Sequence, residues 1–282
     1  MIRLCAFSDE AASDLNGQID ALLRNDIHLM EIRNVEGKGV ADITESEAEK
    51  YARILSKNGI EVWSIGSPLG KVNINVDMEG YLGTVRHICR LANIFGTDKV
   101  RAFSFFEAYN KKAQVIKSLT QMTETAMEYD IYLYHENEKE IYGDTVERTD
   151  EILKSVPMLK SVYDPANFIQ VGEDSKKALD TLHARADYFH IKDVIKETGE
   201  LVPAGYGDGL IYELITKING DKVLTLEPHL AIFDAYKSID STEMKHKFKF
   251  ESKDEAFDTA VSELKKLIIK AGYKSVNGGF EK

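Results

Sequence analysis

The 282-residue chain predicts an α/β protein, a single (β/α)8 barrel of parallel strands. Three observations lead there. Strand-length apolar runs recur eight times, at Ile2–Phe7, Ile27–Ile32, Ile60–Ile65, Lys99–Phe103, Ile131–Tyr134, Ser161–Tyr163, Tyr188–Ile191 and Val223–Leu226. Helix-period segments separate them, and alternation at this spacing marks βαβ units. The loop after the first run, Ser8-Asp9-Glu10, is acidic and lacks the glycines of the phosphate loop that would announce an open doubly wound sheet. Several runs are almost continuously apolar, as strands covered on both faces must be.

The helices follow in order. Leu15, Ile19, Leu22 and Leu23 make one apolar stripe over Leu15–Leu23. Glu45–Leu55 starts at a capping box, Thr44 with Glu47, and stops at Asn58-Gly59. Met78–Phe95 is stopped by Gly96, and Ala113–Tyr129 comes next. Asp144 with Glu147 predicts a second capping box ahead of Thr145–Leu153. Ser175–Leu182, Leu210–Ile218 (ended by Asn219-Gly220) and Ala256–Ile269 complete the set. No linker divides the chain, so residues 1–282 read as one domain, with 271–282 as a frayed tail.

With 36 basic against 47 acidic residues the net charge is −11, which counts against nucleic-acid or anionic-membrane partners. No apolar run approaches the roughly 18 residues of a membrane span. The start, MIRLCAFSDE, is apolar too briefly for a signal peptide and turns acidic at once, so a cytoplasmic location is expected. Cys5 and Cys89 are too few for a disulfide framework and read as buried free thiols. A homo-oligomer is left open.

Chemistry concentrates where four strands end. Ile131–Tyr134 turns abruptly polar at His135-Glu136-Asn137-Glu138, and three later runs end at Asp164, His190 and Glu227. Active sites of such barrels lie at the C-terminal strand ends. Glu136, Asp164, His190 and Glu227 fall at four consecutive ends and can converge on one divalent ion, although each alone reads as a cap, a surface charge or a core histidine. Three carboxylates and an imidazole suit Mn2+ first, with Mg2+, Co2+ and Zn2+ as alternatives. An ion there would act as a Lewis acid on a bound oxygen. Because a carboxylate bound to a dication is a weak base, His135 stands as a further candidate base.

His135-Glu136-Asn137, Tyr163-Asp164-Pro165-Ala166-Asn167, His190-Ile191-Lys192-Asp193, Pro203-Ala204-Gly205 through Gly209, and Leu226-Glu227-Pro228-His229 resemble the sugar phosphate isomerase/epimerase family. That family has the xylose isomerase-like TIM barrel, and the resemblance spans essentially the whole chain. It implies that Glu136, Asp164, His190 and Glu227 bind the metal, with Glu136 and Glu227 also as the acid/base pair. Asn167 stands where the ketose 3-epimerases of the family carry a substrate-binding histidine, and Tyr142 where they carry a glutamate.

Further candidates for substrate contact are Glu31 near the end of strand two, Lys192 on the face of His190, and His229 two beyond Glu227. Gly205-Tyr206-Gly207-Asp208-Gly209 reads as a plain turn, with a phosphate cradle as the alternative. Trp63 and Phe106 read as core, His28, His87 and His183 as structural, and the basic stretch Lys245–Lys249 as a loop over the site or an oligomer contact. The expected function is a metal-dependent isomerase or epimerase of a ketose, keto-sugar or sugar phosphate. The alternatives are a lyase on a keto-sugar and a non-catalytic sugar-binding barrel. A DNA-repair phosphodiesterase fits poorly with 7 histidines and this charge.

Overall fold

The computed structural model describes residues 1–230, 248 and 250–282. Strands β1 (Ile2–Ala6), β2 (Leu29–Ile32), β3 (Glu61–Leu69), β4 (Lys99–Ala102), β5 (Tyr132–Glu136), β6 (Lys160–Tyr163), β7 (Tyr188–Ile191) and β8 (Lys222–Leu226) pair in chain order. β8 returns to β1 in parallel register, from Ile2 opposite Lys222 to Ala6 opposite Leu226, and closes the ring. The result is a closed 8-stranded parallel barrel wrapped by helices, the predicted TIM barrel.

Helices α1 (Leu15–Arg24), α2 (Glu45–Lys57), α3 (Met78–Phe95), α4 (Lys112–Met127), α5 (Val146–Ser155), α6 (Pro165–Gln170), α7 (Ser175–Leu182), α8 (Ile211–Lys217) and α9 (Lys253–Lys270) complete the fold. Both halves of the Thr44/Glu47 capping box form, and Gly96 ends α3 at φ +75°, where a side chain would be strained. The cap of α5 differs from expectation. Thr145 accepts the Arg148 N–H, whereas Asp144, caught in the preceding 3-10 turn, takes Arg148 and the Tyr109 hydroxyl instead.

The tail is also corrected. Lys274–Val276 and Gly279–Glu281 form a hairpin, and Phe280 pairs antiparallel with Ile2. Phe280 and Tyr273 are 5% and 6% exposed. Burying a ring of that size is worth about 2 kcal/mol, which offsets the ordering of a short segment. Cys5 and Cys89 are buried and free. Among the described residues no helix is long and apolar enough to cross a membrane.

Candidate metal centre

Strand alternation decides which side chains enter the barrel. Cys5, Leu29, Tyr134, Val162, Tyr188 and Val223 form the apolar interior cluster. Two residues on, the same face of each strand carries Phe7, Glu31, Glu136, Asp164, His190 and Thr225, and two further on come Arg33, Lys192 and Glu227. The barrel therefore changes from apolar to ionic within one layer. Strand β5 runs to Glu136 itself, so that candidate donor is held by a backbone ladder rather than by a loop.

Glu136, Asp164, His190 and Glu227 are all buried, and each offers a donor atom within 4.8 Å of the others. Asp164 serves twice. Its Oδ1 caps α6 by accepting the Asn167 N–H at 3.0 Å, with Pro165 in the first turn, while its Oδ2 points elsewhere. His190 Nδ1 lies 2.9 Å from Glu136 Oε1 and 3.4 Å from Glu227 Oε2. Arg101 Nη1 donates to Glu136 Oε2 at 3.1 Å, and Arg33 Nη1 to Glu227 Oε1 at 2.9 Å. Lys192 Nζ stands 2.9 Å from Asp164 Oδ2 and 3.6 Å from Glu227 Oε2.

This donor set fits a dication on two counts. Among the described residues Asp164 Oδ2 and Glu227 Oε2 are buried and receive no aligned hydrogen bond; the Lys192 ammonium stands beside them at 2.9 and 3.6 Å, and each keeps acceptor capacity for a further cation. The charges agree. Six buried carboxylates (Asp9, Glu10, Glu31, Glu136, Asp164, Glu227) face Arg33, Arg101, Lys192, His190 and His229, so the acidic groups outnumber the basic ones even with both imidazoles charged.

The same electrostatics set the protonation states. Burial presses upward on the Glu136 carboxyl, but His190 and Arg101 outweigh it and bring it to about 2. Burial likewise opposes ionisation of Glu227, yet Lys192, His190 and His229 hold it well below the carboxylate range. For Asp164 burial wins over Lys192 and raises it to about 6. His190 is raised well above its ordinary value, because Glu136 and Glu31 overcome desolvation. His229, buried against Glu10 and Glu227, is lifted to about 10.

The remaining predicted site residues divide. Lys192 and Asn167 reach the cluster, Asn167 Nδ2 lying 3.4 Å from Glu136 Oε1. His229 reaches it from the loop after β8, with Nε2 3.4 Å from Glu227 Oε1 and Nδ1 3.0 Å from Glu10 Oε1. Glu31 lies inside the barrel, with Oε2 3.2 Å from His190 Nε2. His135 is not brought in. One residue before Glu136, it points to the opposite face, against Ser104 and Gly143, where a Cβ on Gly143 would meet the ring at 2.5 Å. Among the described residues neither of its ring nitrogens has a hydrogen-bond partner, and burial lowers the imidazole to about 4.

Three residues outside the sequence-based set join the site, Arg33, Arg101 and Glu10, and Lys71 lies to one side of it, paired with Glu138 at 3.0 Å. Arg33 and Arg101 lie 4.5 and 5.0 Å over the Phe7 ring, Arg101 also 5.0 Å over Phe103, and Lys71 4.3 Å over Phe103. Arg33 and Arg101 were open to detection: Arg33 follows Glu31 by two, and Arg101 interrupts an apolar run at an inward position. Glu10, Glu227 and His229 also gather, but the Arg33 guanidinium stands among them, 2.9 Å from Glu227 Oε1 and 3.5 Å from Glu10 Oε1. That group is an ion network.

The glycine loop after β7 cradles the protein's own carboxylate. Asp193 accepts the N–H groups of Gly205, Gly207 and Gly209 at 2.8, 3.1 and 2.9 Å. Trp63 packs edge-on to Tyr188 inside the barrel. His28, His87 and His183 lie against the carbonyls of Gly59, Ile43 and Leu214. Of the basic stretch Lys245–Lys249, all but Phe248 lies outside the described residues.

A family model described as xylose isomerase-like TIM barrel matches residues 20–242. The chain belongs to that family. No curated protein matches it. Three solved barrels show what this xylose isomerase-like chain is similar to. A probable 3-DHS dehydratase, AsbF of Bacillus anthracis, is 18% identical with a TM-score of 0.69, over 95% of this chain and 98% of that one. The IolI protein, whose structure holds a zinc atom, is 17% identical with a TM-score of 0.71, over 95% and 99%. A D-psicose 3-epimerase from Clostridium cellulolyticum H10, bound to D-tagatose, is 12% identical with a TM-score of 0.70, over 94% and 99%. At such identities the likeness is one of fold.

Proposed function

We propose that this xylose isomerase-like barrel is a divalent-metal-dependent isomerase or epimerase of an unphosphorylated ketose or keto-sugar. One observation carries the reading: four buried donors from consecutive strand ends lie within 4.8 Å of one another, and two of their oxygens lack an aligned hydrogen bond. Three carboxylates and an imidazole favour Mn2+, and Zn2+ is the competitor that the IolI structure suggests. When bound, such an ion would supply Lewis-acid stabilisation of the charge that develops on a substrate carbonyl oxygen as an α-proton leaves.

The protein's own groups do the rest. Glu136 and Glu227 are the acid/base pair. Arg101 and Arg33 keep them ionised, the form that accepts a proton. The same guanidiniums make the protonated carboxyls strong acids, so a proton taken from one face is readily returned to the other face or to the neighbouring carbon. A placed acid or base of this kind is worth roughly 10²–10⁴-fold. Lys192 polarises a substrate oxygen beside Asp164, and Asn167 and His229 border the substrate. His135, on the outer face, takes no part. Asp193 uses the amides of the glycine loop, which supports an unphosphorylated substrate.

A lyase reading ranks second and is favoured by Lys192, a buried ammonium able to protonate a departing oxygen. The AsbF neighbour, a probable dehydratase, supports it. The test is to mix metal-loaded protein with a panel of ketoses and keto-sugars in D2O. Deuterium at the α-carbon with every oxygen retained supports the isomerase or epimerase. Loss of water or an aglycone supports the lyase, and neither exchange nor elimination refutes both.

A further inference from the structure

Beneath the four donors the barrel interior holds a carboxylate that the proposed chemistry does not use. Glu31 is 1% exposed and enters just past a register shift between Met30 and Glu31, which sets it opposite Ser64 on β3. Its Oε1 accepts the Tyr188 hydroxyl at 3.0 Å and the Ser64 hydroxyl at 3.4 Å, and its Oε2 lies 3.2 Å from His190 Nε2. Among the described residues no lysine or arginine forms an ion pair with it. A carboxylate taken out of water needs a compensating charge or a strong donor, and two hydroxyls do not supply one. The remaining partner is the His190 ring.

A neutral imidazole carries one N–H, and the bond made by one nitrogen decides what the other can do. In the neutral ring that a bound ion requires, Nε2–H directed at Glu31 leaves the lone pair on Nδ1, which faces Glu136 Oε1 at 2.9 Å and Glu227 Oε2 at 3.4 Å. Phe7 and Tyr188, edge-on at 5.1 and 5.5 Å, hold the ring against rotation. We infer that Glu31 is a positioning residue: it fixes the tautomer and orientation of His190 so that Nδ1 is presented to the metal, and Tyr188 and Ser64 hold Glu31 in turn. The inference rests on the metal reading above. It turns Glu31 from a group that meets substrate hydroxyls into one that never touches substrate.

The test compares the wild type with Glu31→Gln, which keeps an acceptor, and Glu31→Leu, which does not. Calorimetric titration of metal-free protein with Mn2+ and with Zn2+ should show affinity lower by about tenfold for Glu31→Gln and about a hundredfold for Glu31→Leu, the range for groups that orient a ligating histidine. Nitrogen-15 spectra of the zinc-loaded wild type should show His190 protonated at Nε2, with that slowly exchanging signal lost in Glu31→Leu. If Glu31→Leu does not fold, the near-isosteric Glu31→Gln decides. A merely structural glutamate would lower the unfolding temperature and leave affinity within twofold of wild type, and that result overturns the inference while the metal reading stands. A wild type that takes up neither ion overturns both.

Discussion

Replacing His135 by leucine isolates a single buried titration. The wild-type ring is fully buried, both nitrogens lack partners among the described residues, and burial lowers its pKa from 6.5 to about 4. Above the unfolded value both states are neutral and the group contributes its full share of stability. As pH falls, the unfolded chain binds a proton that the folded protein refuses, so stability is lost until the folded ring titrates near 4. At about 1.4 kcal/mol per pH unit the whole interval is worth about 3 kcal/mol, and by pH 5 about 2 kcal/mol has gone. Urea unfolding at about pH 7.5 and pH 5 measures it. The leucine variant should gain about 2 kcal/mol relative to wild type across that step, because every other titrating group is common to both proteins. Keto-sugar turnover should persist in the variant, since the ring faces away from the four donors. Parallel pH curves would show that the imidazole is not held neutral, and lost turnover would restore it as a base.

Glu136→Gln or Glu227→Gln should reduce turnover by at least about 10² with the circular dichroism spectrum unchanged; near-normal rates in either would remove the acid/base assignment. Asp164→Asn keeps an N-cap for α6, so stability should move by only tenths of a kcal/mol while calorimetric metal affinity falls sharply. In the wild type, metal uptake should weaken as pH falls from 8 to 5, because His190, raised well above its ordinary value, and the Asp164 carboxyl, raised to about 6, both come to hold protons; a flat profile would count against both as ligands. Arg101→Met leaves Glu136 without its guanidinium and should destabilise the metal-free protein by about 3 kcal/mol, partly recovered on adding Mn2+; no loss in urea unfolding would show that Arg101 is idle.

Much of the barrel was legible because burial leaves a linear record. A strand covered on both faces must be apolar along its length, and Lys99–Ala102 or Tyr188–Ile191 show this without any partner in view. The rim was legible for the opposite reason: an ionisable packet directly after such a run, as at Glu136, marks where the apolar strand ends. What escaped was local or cooperative. Thr145 rather than Asp144 caps α5, because a 3-10 turn shifts the helix start by a residue. The 271–282 segment looks frayed alone, yet Phe280 finds Ile2 at the far end of the chain. Arg33 and Arg101 stand at inward positions that the spacing marks, but their carboxylate partners and the Phe7 and Phe103 rings they lie over come together only in the closed barrel.

Alone, the sequence determined the alternation of strands and helices, the apolar runs and the four ionisable strand ends, since each depends only on periodicity within a dozen residues. Tertiary structure alone decided which of those charges share a volume. Closure of β8 onto β1 turns separate strand ends into one ring, and inside that ring Asp164 Oδ2 is left without an aligned hydrogen bond, Glu31 is set beneath His190, and His135 is turned outward. Electrostatic energy depends on distance through space and on exclusion of water, and neither quantity is written along the chain.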